Sequence, residues 1–247
     1  MNDLETRFGG IRRLYGEDGL RRLFEARVCV VGLGGVGSWA AEALARSGVG
    51  RMTLVDLDDV CLTNVNRQLH ALDGAIGRPK VEVMAERIRA IHPACRVQAV
   101  PEFFTGTTAE KILESRYDWV LDAIDEVANK CLLIARCRER NIPVISSGGA
   151  AGRRNPAAIR VADLAQTTHD GLLQRVRKKL REDHGFERDP KKPFGVPCVF
   201  STERPVAAAE GCEGRLSCEE GYGAASFVTG AFGLAAAGWI VSRIAAG

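Results

Sequence analysis

The sequence ARVCVVGLGGVGSW, residues 26–39, decides how the chain is organised. Residues 28–31 form a continuous apolar run, which is typical of a strand buried in a parallel sheet. The run ends at Gly32, and Gly32, Gly34 and Gly37 follow the G-x-G-x-x-G spacing. Apolar residues then recur at helical intervals. A strand, a glycine turn and a helix N-terminus together predict a nucleotide site, because backbone N–H groups and the helix dipole favour phosphate.

Composition places this motif in one α/β domain. The 247 residues, 46% of them apolar, are enough for a substantial core. We predict a doubly wound, mostly parallel sheet, with a Rossmann-like nucleotide-binding half at about 25–150 and a less regular C-terminal part at about 151–247. The net charge of +3 neither requires nor excludes a nucleic acid partner.

Cysteine usage points to a reducing compartment. The chain has eight cysteines, no C-x-x-C pair and no segment with the pattern of a signal peptide. We therefore expect a cytoplasmic protein without a disulfide framework and without a zinc site.

An aspartate ends the second predicted strand, residues 52–55. Asp56 lies 19 positions after Gly37 (56 − 37), the place where an acidic residue binds a ribose hydroxyl in dinucleotide-binding folds. A generic turn at the end of the strand can explain Asp58 or Asp59. Asp56 is the stronger candidate for contact with the nucleotide.

The next segment favours a triphosphate over a nicotinamide cofactor. Residues 63–68 read TNVNRQ, and Gly77 to Lys80 then open a predicted helix. An arginine and a lysine placed this way suit the negative charge of nucleoside triphosphate and departing pyrophosphate. An oxidoreductase has no use for Arg67 and Lys80 in this position.

With these motifs the chain resembles the ubiquitin-activating-like adenylyltransferases, which include activators of the molybdopterin and thiamine sulfur carriers. The resemblance is carried by GLGGVGS (32–38), LVDLDDV (54–60), LTNVNRQ (62–68), Gly77 with Lys80, and VLDAID (120–125). It implies ATP and Mg²⁺ as cofactors and activation of a carboxylate as an acyl-adenylate. The implied nucleotide-binding residues are Gly32, Gly34, Gly35, Gly37, Asp56, Asp58, Asn64, Arg67, Gln68, Lys80, Asp122 and Asp125. Arg67, Lys80 and Asp125 would be catalytic, and Asp125 would hold the metal.

A narrower resemblance covers nearly the whole chain. FGG (8–10), RRLYG (12–16), NRQLHAL (66–72), KVEVMAERI (80–88) and CVFSTE (198–203) are similar to the branch that dehydrates threonylcarbamoyladenosine in tRNA. This branch implies adenylation of the threonyl carboxylate, ring closure with release of AMP, a tRNA substrate and a homodimer. The alternative is an adenylyltransferase for a ubiquitin-like sulfur carrier, and a cysteine desulfurase or sulfur acceptor stays open as a partner.

A basic segment follows the predicted nucleotide-binding half. Residues 175–193 contain eight Lys or Arg and four Asp or Glu, around an apolar face of Leu172, Leu173, Val176 and Leu180. Two interpretations stay open: an ordinary solvated helix face, or a patch for the RNA backbone. The second is favoured only through the resemblance.

The late cysteines and one glycine-rich loop have less definite patterns. Cys198 lies in a strand-like apolar run, so we favour a buried structural thiol over a catalytic one. No role is assigned to Cys212 or Cys218. The SSGGA loop at 146–150 either faces substrate or makes a turn.

The last predicted helix is unusually apolar. Residues 224–241 are 18 residues without a charge, close to the lower limit for a membrane span. Many are Ala or Gly, which contribute little to insertion. We expect this helix to be buried in protein, and peripheral membrane association is the alternative.

Overall fold

A computed structural model of the chain describes residues 3–189, 191–206 and 222–247. The strands are β1 Arg27–Val31, β2 Arg51–Val55, β3 Arg96–Val100, β4 Trp119–Asp122, β5 Val144–Ser147, β6 Ile159–Asp163 and β7 Pro197–Ser201. The helices are α1 Asp3–Arg7, α2 Gly9–Glu25, α3 Gly37–Arg46, α4 Lys80–Ile91, α5 Ala109–Ile112, α6 Val127–Glu139, α7 Gly171–Asp183 and α8 Ser226–Ala246.

The seven strands form one sheet in the order β3-β2-β1-β4-β5-β7-β6. Neighbours are parallel except β6, which runs antiparallel to β7. The predicted doubly wound, mostly parallel α/β fold is therefore confirmed. The chain order reverses between β1 and β4, and in such sheets ligands bind beyond the carboxyl ends of the strands at this reversal.

Strand β4 is short and ends at Asp122, since it spans only Trp119–Asp122. The Asp122 carboxylate accepts the N–H of Ile124 at 3.1 Å, which turns the backbone away from the sheet. This local turn is what aims the following aspartate, Asp125, away from the strand.

Two apolar cores cover the two faces of the sheet. Helices α2, α3, α4 and α8 enclose one core, and α5, α6 and α7 enclose the other. Buried residues of β1 alternate between them, with Val28 and Val30 in the first core and Cys29 and Val31 in the second. A strand buried on both faces explains the uninterrupted apolar run in the sequence.

Helix α8 packs closely on α3. A Cβ on Gly233 would lie 2.4 Å from the Val36 carbonyl oxygen, so a larger residue would separate the two helices. This is the one helix among the described residues that is long and apolar enough to cross a membrane, and half of its most apolar stretch is buried inside the structure. Its buried side belongs to the protein core, while Phe227 and Leu234 remain exposed.

Candidate nucleotide-binding site

The glycine loop between β1 and α3 has a conformation that only glycine allows at two positions. Gly32 has φ +89°, and a Cβ there would lie 2.8 Å from the Ala123 carbonyl oxygen. A Cβ on Gly37 would lie 1.8 Å from the Gly32 carbonyl oxygen. The loop thus folds tightly onto itself and onto the end of β4. This contact brings the β1 and β4 ends together at the reversal of strand order.

The same loop presents unused hydrogen-bond donors. Among the described residues, the backbone N–H groups of Gly34, Gly35 and Val36 have no acceptor. They precede the N-terminus of α3, where the helix dipole adds a partial positive charge. Three consecutive donors without acceptors next to a helix N-terminus can hold a phosphate group.

Asp56, at the carboxyl end of β2, holds the glycine loop in place. It is only 8% exposed. One carboxylate oxygen accepts the N–H of Leu33 at 2.6 Å and the other accepts the N–H of Asp58 at 2.9 Å. Burial raises the pKa of Asp56, and the nearby Lys80 charge and the two N–H donors oppose that rise. Asp56 therefore supports the loop, and its contact with ribose stays a prediction.

Lys80 reaches the site from the first turn of α4. It is 5% exposed, and its Nζ donates to the Asp58 carboxylate at 2.8 Å. The Asp58 side chain is about half exposed. A buried ammonium held by one solvent-facing carboxylate can exchange that partner for a phosphate oxygen, which is more highly charged.

The predicted segment at 63–68 folds beside the glycine loop. Asn64 is buried, and its side-chain oxygen accepts the N–H of Cys61 at 3.0 Å, which shapes the turn. Gln68 is buried, its Oε1 has no partner, and its Nε2 lies 3.9 Å from where a Gly34 Cβ would be. The unpartnered oxygen leaves Gln68 with hydrogen-bonding capacity next to the loop.

Arg67 is half-buried in the same segment. Its guanidinium donates to the Thr63 carbonyl at 2.7 Å and to the Asn66 side chain at 3.0 Å. Its carbonyl accepts the indole N–H of Trp39 at 3.0 Å and the hydroxyl of Thr229 at 3.3 Å. The backbone at Arg67 is thus tied to α3 and α8. Thr229 was not found from the sequence, because only the packing of α8 brings it here.

The two aspartates of VLDAID have different surroundings. Asp122 is completely buried, and its Oδ2 lies 2.9 Å from the ammonium of Lys130 and accepts the hydroxyl of Ser146 at 2.6 Å. Asp125 is exposed and makes no hydrogen bond or ion pair with the described residues. Asp125, and not Asp122, is therefore the carboxylate open to a ligand.

Lys130 is a residue that sequence reasoning missed. It is fully buried in α6, and its Nζ also donates to the Ile124 carbonyl at 2.7 Å. Asp122 accepts the N–H of Ile124 and Lys130 donates to its carbonyl. The ion pair therefore fixes both backbone polar groups of Ile124, the residue before Asp125. A lysine in an amphipathic helix is normally solvated, and the sequence carries no signal that this one is buried.

Ser146 and Ser147 of the SSGGA segment belong to β5, and residues 148–150 continue from the carboxyl end of that strand. A buried ion pair joins Arg153 to Asp170 at 3.1 Å. Arg153 also donates to the Gly149 carbonyl, and Asp170 accepts the N–H of Gly149. Asp170 caps α7 through the N–H of Leu173, a role that its position before the helix could have suggested. This network holds the loop, and contact with substrate stays a prediction.

Most cations of the basic segment have partners. Lys178 and Lys179 pair with Glu182 and Asp183 one turn later, at 3.9 and 2.6 Å. Arg177 is half-buried against the Thr167 hydroxyl at 2.5 Å. The predicted amphipathic helix is present as α7, with Leu173, Val176 and Leu180 buried, but Leu172 only partly so. These ion pairs favour the interpretation as a solvated helix.

Cys198 lies in β7 and is completely buried, as predicted. Burial raises the pKa of its thiol well above the usual range, because the thiolate would lose its hydration. Since the thiolate is the reactive form, this environment suits a structural cysteine. Cys212 and Cys218 lie outside the described residues.

We expect Cys198→Ser to lower the free energy of unfolding by about 1–3 kcal/mol, because the buried hydroxyl replaces a small apolar group. Turnover per folded molecule should change little. Cys61→Ser is the matched control. Because Cys61 is exposed, this substitution should change the free energy of unfolding by no more than about 0.5 kcal/mol. Denaturant titration with activity normalised to folded protein measures both. Trapping a thioester or persulfide on Cys198 during turnover would contradict this expectation.

His70, close to Lys80, makes stability depend on pH. It is 1% exposed and neither ring nitrogen has a partner. Burial, and secondly the charge of Lys80, lowers its pKa from 6.5 to about 4. Between these values the unfolded chain binds the proton and the folded chain does not, so stability falls as the pH decreases through this window.

From about pH 7 to about pH 5, His70 should remove about 2 kcal/mol of unfolding free energy. Urea titration at both pH values should show this loss in the wild type and a smaller loss in His70→Leu. Equal losses in the two proteins would show that His70 is not the titrating group.

A glycine loop at the strand reversal, the cations Lys80 and Arg67, and an open carboxylate after β4 define a nucleotide-binding α/β domain of the adenylate-forming kind. The family model described as "ThiF family" matches residues 10–244. Together with its relatives, this shows that the chain belongs to the ThiF family, on the branch of the tRNA threonylcarbamoyladenosine dehydratases. The sequence-based resemblance is confirmed.

Two dehydratases match nearly the full length of the chain. The tRNA threonylcarbamoyladenosine dehydratase of Haemophilus influenzae is 46% identical over 248 residues, 99% of this chain and 95% of the relative. The crystal structure of the Escherichia coli tRNA N6-threonylcarbamoyladenosine dehydratase in complex with ATP has a TM-score of 0.92 and 47% identity, covering 100% of this chain and 96% of that one. The E. coli molybdopterin-synthase adenylyltransferase is 37% identical over 143 residues, 58% of this chain and 56% of the relative.

Proposed function

We propose that the chain is an ATP-dependent tRNA threonylcarbamoyladenosine dehydratase. The observation that carries this proposal is the full-length match to dehydratases, against a match of 58% of the chain to a sulfur-carrier type of adenylyltransferase. The match includes the C-terminal part, which supplies Thr229 to the nucleotide site. Dehydratases and sulfur-carrier adenylyltransferases share the adenylation step, which explains the shorter match to the second group.

The proposed reaction has two steps. A threonyl carboxylate oxygen attacks the α-phosphate of ATP, forming an acyl-adenylate and releasing pyrophosphate. The neighbouring carbamoyl group then attacks the acyl carbon and displaces AMP, which closes the ring. The protein positions the reactants and neutralises charge: the N–H groups of Gly34 and Gly35, with Arg67 and Lys80, bind phosphate oxygens. No side chain needs to act as a nucleophile.

Asp125 fits the expected Mg²⁺. The described residues contain no group of three or more His, Cys, Asp or Glu that could hold a metal alone. Mg²⁺ in nucleotide sites is held by one or two carboxylates together with substrate phosphates, so one open carboxylate is sufficient. We therefore assign Asp125 as the protein ligand. The metal would supply charge neutralisation at the phosphates.

An exchange assay separates this function from the alternative. The wild type is incubated with ATP and labelled pyrophosphate, together with either tRNA that carries threonylcarbamoyladenosine or a sulfur-carrier protein with a free C-terminus. Exchange and cyclised nucleoside only with the tRNA support the dehydratase. Exchange only with the carrier would establish the sulfur-carrier activity, which is also the activity that would require a cysteine desulfurase or sulfur acceptor.

We further propose that residues 1–247 work as one adenylation domain, because β6 and β7 join the same sheet as the nucleotide-binding strands. A homodimer is the proposed assembly. Phe227 and Leu234 of α8 are 58% and 52% exposed, and the α8 N-terminus is bonded to the loop that exposes Leu62 and Val65. An apolar surface of this kind marks an interface.

In this proposal a second copy of the chain, and not a membrane, covers the exposed apolar side chains of α8. This agrees with a cytoplasmic protein. Light scattering gives the assembly mass directly, and co-sedimentation with lipid vesicles tests peripheral membrane association through α8, which is the alternative. A monomer that binds vesicles would contradict both the homodimer and the cytoplasmic location.

A further inference from the structure

Three arginines stand in register at the amino end of the sheet, opposite the nucleotide site. Arg27 begins β1, Arg51 begins β2 and Arg96 begins β3, and the strand register pairs Arg27 with Arg51 and Arg51 with Arg96. Residues in register on neighbouring strands share a face of the sheet. These three residues form an arginine ladder.

The ladder lines a shallow groove of about 280 Å³. Gln98 lines the same groove, two residues after Arg96 and therefore on the same face. Arg51, Arg96 and Gln98 are exposed and Arg27 is half-buried. The groove is open because it lies by β3, which is the edge strand of the sheet.

The ladder guanidinium groups have no partner in the part of the chain that the structure describes. Among the described residues, none of the three makes a side-chain hydrogen bond, an ion pair or a contact with an aromatic ring. Asp118, the carboxylate beside Arg27, accepts the backbone N–H of Arg27 at 2.7 Å and not its side chain. By contrast, Lys178 and Lys179 of α7 have carboxylate partners one turn away. Unpaired cations can bind an anion without first breaking an ion pair.

We propose that the arginine ladder binds the phosphate backbone of the tRNA substrate. This inference rests on the proposed function. Strands lie about 4.8 Å apart, so three guanidinium groups repeat over about 10 Å and suit a chain of phosphates better than one isolated anion. Guanidinium forms bidentate hydrogen bonds with phosphate oxygens. The uncharged amide of Gln98 suits a ribose hydroxyl, which RNA provides and an acidic peptide does not.

The arginine ladder lies close enough to the nucleotide site for one substrate to reach both. Arg27 and the glycine loop lie at opposite ends of β1, whose five residues span about 13 Å between the first and last Cα. The open edge at β3 connects the two ends. An RNA stem is wider than this distance, so one substrate can contact both ends.

The test compares two double variants with the same change in charge. Arg51→Gln with Arg96→Gln removes two ladder cations, and Lys178→Gln with Lys179→Gln removes two ion-paired cations. Binding of tRNA that carries threonylcarbamoyladenosine is titrated at several salt concentrations, and ATP affinity and thermal melting are measured alongside. Removal of one cation that binds a phosphate should flatten the dependence of log affinity on log salt by about 0.7–0.9.

The ladder variant should bind tRNA more weakly and flatten the slope by about 1.4–1.8, twice the value for one cation. Its ATP affinity and melting should match the wild type, and the control should bind tRNA as the wild type does. Superimposable salt curves of the ladder variant and the wild type would overturn the proposal, and so would weaker binding confined to the control variant. Saturable binding of inorganic phosphate that only the ladder variant lacks, with unchanged tRNA curves, would make the ladder a small-anion site and also overturn it.

Failure of the proposed function gives a different result. In that case the wild type itself would neither bind this tRNA with a salt-dependent affinity nor form cyclised nucleoside, and the inference would fall with it. If the wild type forms cyclised nucleoside and the salt curves coincide, only the ladder proposal fails.

Discussion

Asp125→Ala is expected to lower tRNA-dependent ATP–pyrophosphate exchange by at least about 10²-fold, the scale for loss of one preorganised charge-stabilising group. Asp125 is exposed and has no partner among the described residues, so the fold does not depend on it. The unfolding free energy should therefore stay within about 0.5 kcal/mol of the wild type. Exchange kinetics and denaturant titration of the same preparation measure both quantities.

Asp73→Ala is the matched control for this substitution. Asp73 is also an exposed aspartate of a loop, and it does not belong to the predicted nucleotide site. Exchange should be unchanged in this variant. An Asp125→Ala protein that melts normally and exchanges normally would remove Asp125 from the site and with it the proposed metal ligand.

Lys130→Met is expected to lower the unfolding free energy by about 3–5 kcal/mol, because it leaves the carboxylate of Asp122 buried without its partner. Both side chains are fully buried and lie 2.9 Å apart. The surface variant Lys111→Met is the control. Lys111 pairs with Glu102 on the surface, where a salt bridge contributes about 0–1 kcal/mol.

Adding Asp122→Asn to Lys130→Met separates stability from positioning. The double variant has no charge left at this position. The side-chain oxygen of the introduced asparagine can accept the N–H of Ile124, and its amide N–H can donate to the Ser146 hydroxyl, so most of the stability should return. The Ile124 carbonyl still lacks the Lys130 donor, and the loop before Asp125 stays misplaced. Exchange should remain about 10- to 100-fold below the wild type, as expected for an interaction of about 1–3 kcal/mol.

Recovery of both stability and exchange in the double variant would show that Lys130 serves only to balance the charge of Asp122. Stability measured by urea titration and exchange measured with saturating tRNA decide between the two roles.

Local patterns in the chain were enough to predict the sheet class and the position of the nucleotide site. An apolar run that breaks at Gly32 and continues with helical periodicity depends only on local chemistry, as does the tight turn that needs Gly37. The acidic residue 19 positions later, and the arginine and lysine beyond it, follow from fixed spacing along the chain. The family followed from several such motifs in one order.

Which side chains are buried, and therefore what each one does, was decided by the packing of the whole fold. Asp122 and Asp125 are three residues apart and the local pattern does not tell which is buried, yet one is buried with Lys130 and the other is open. The three ladder arginines are far apart in the chain and meet only because β1, β2 and β3 pair in register. Burial and register are long-range properties that depend on all the packed elements, so a local pattern cannot contain them.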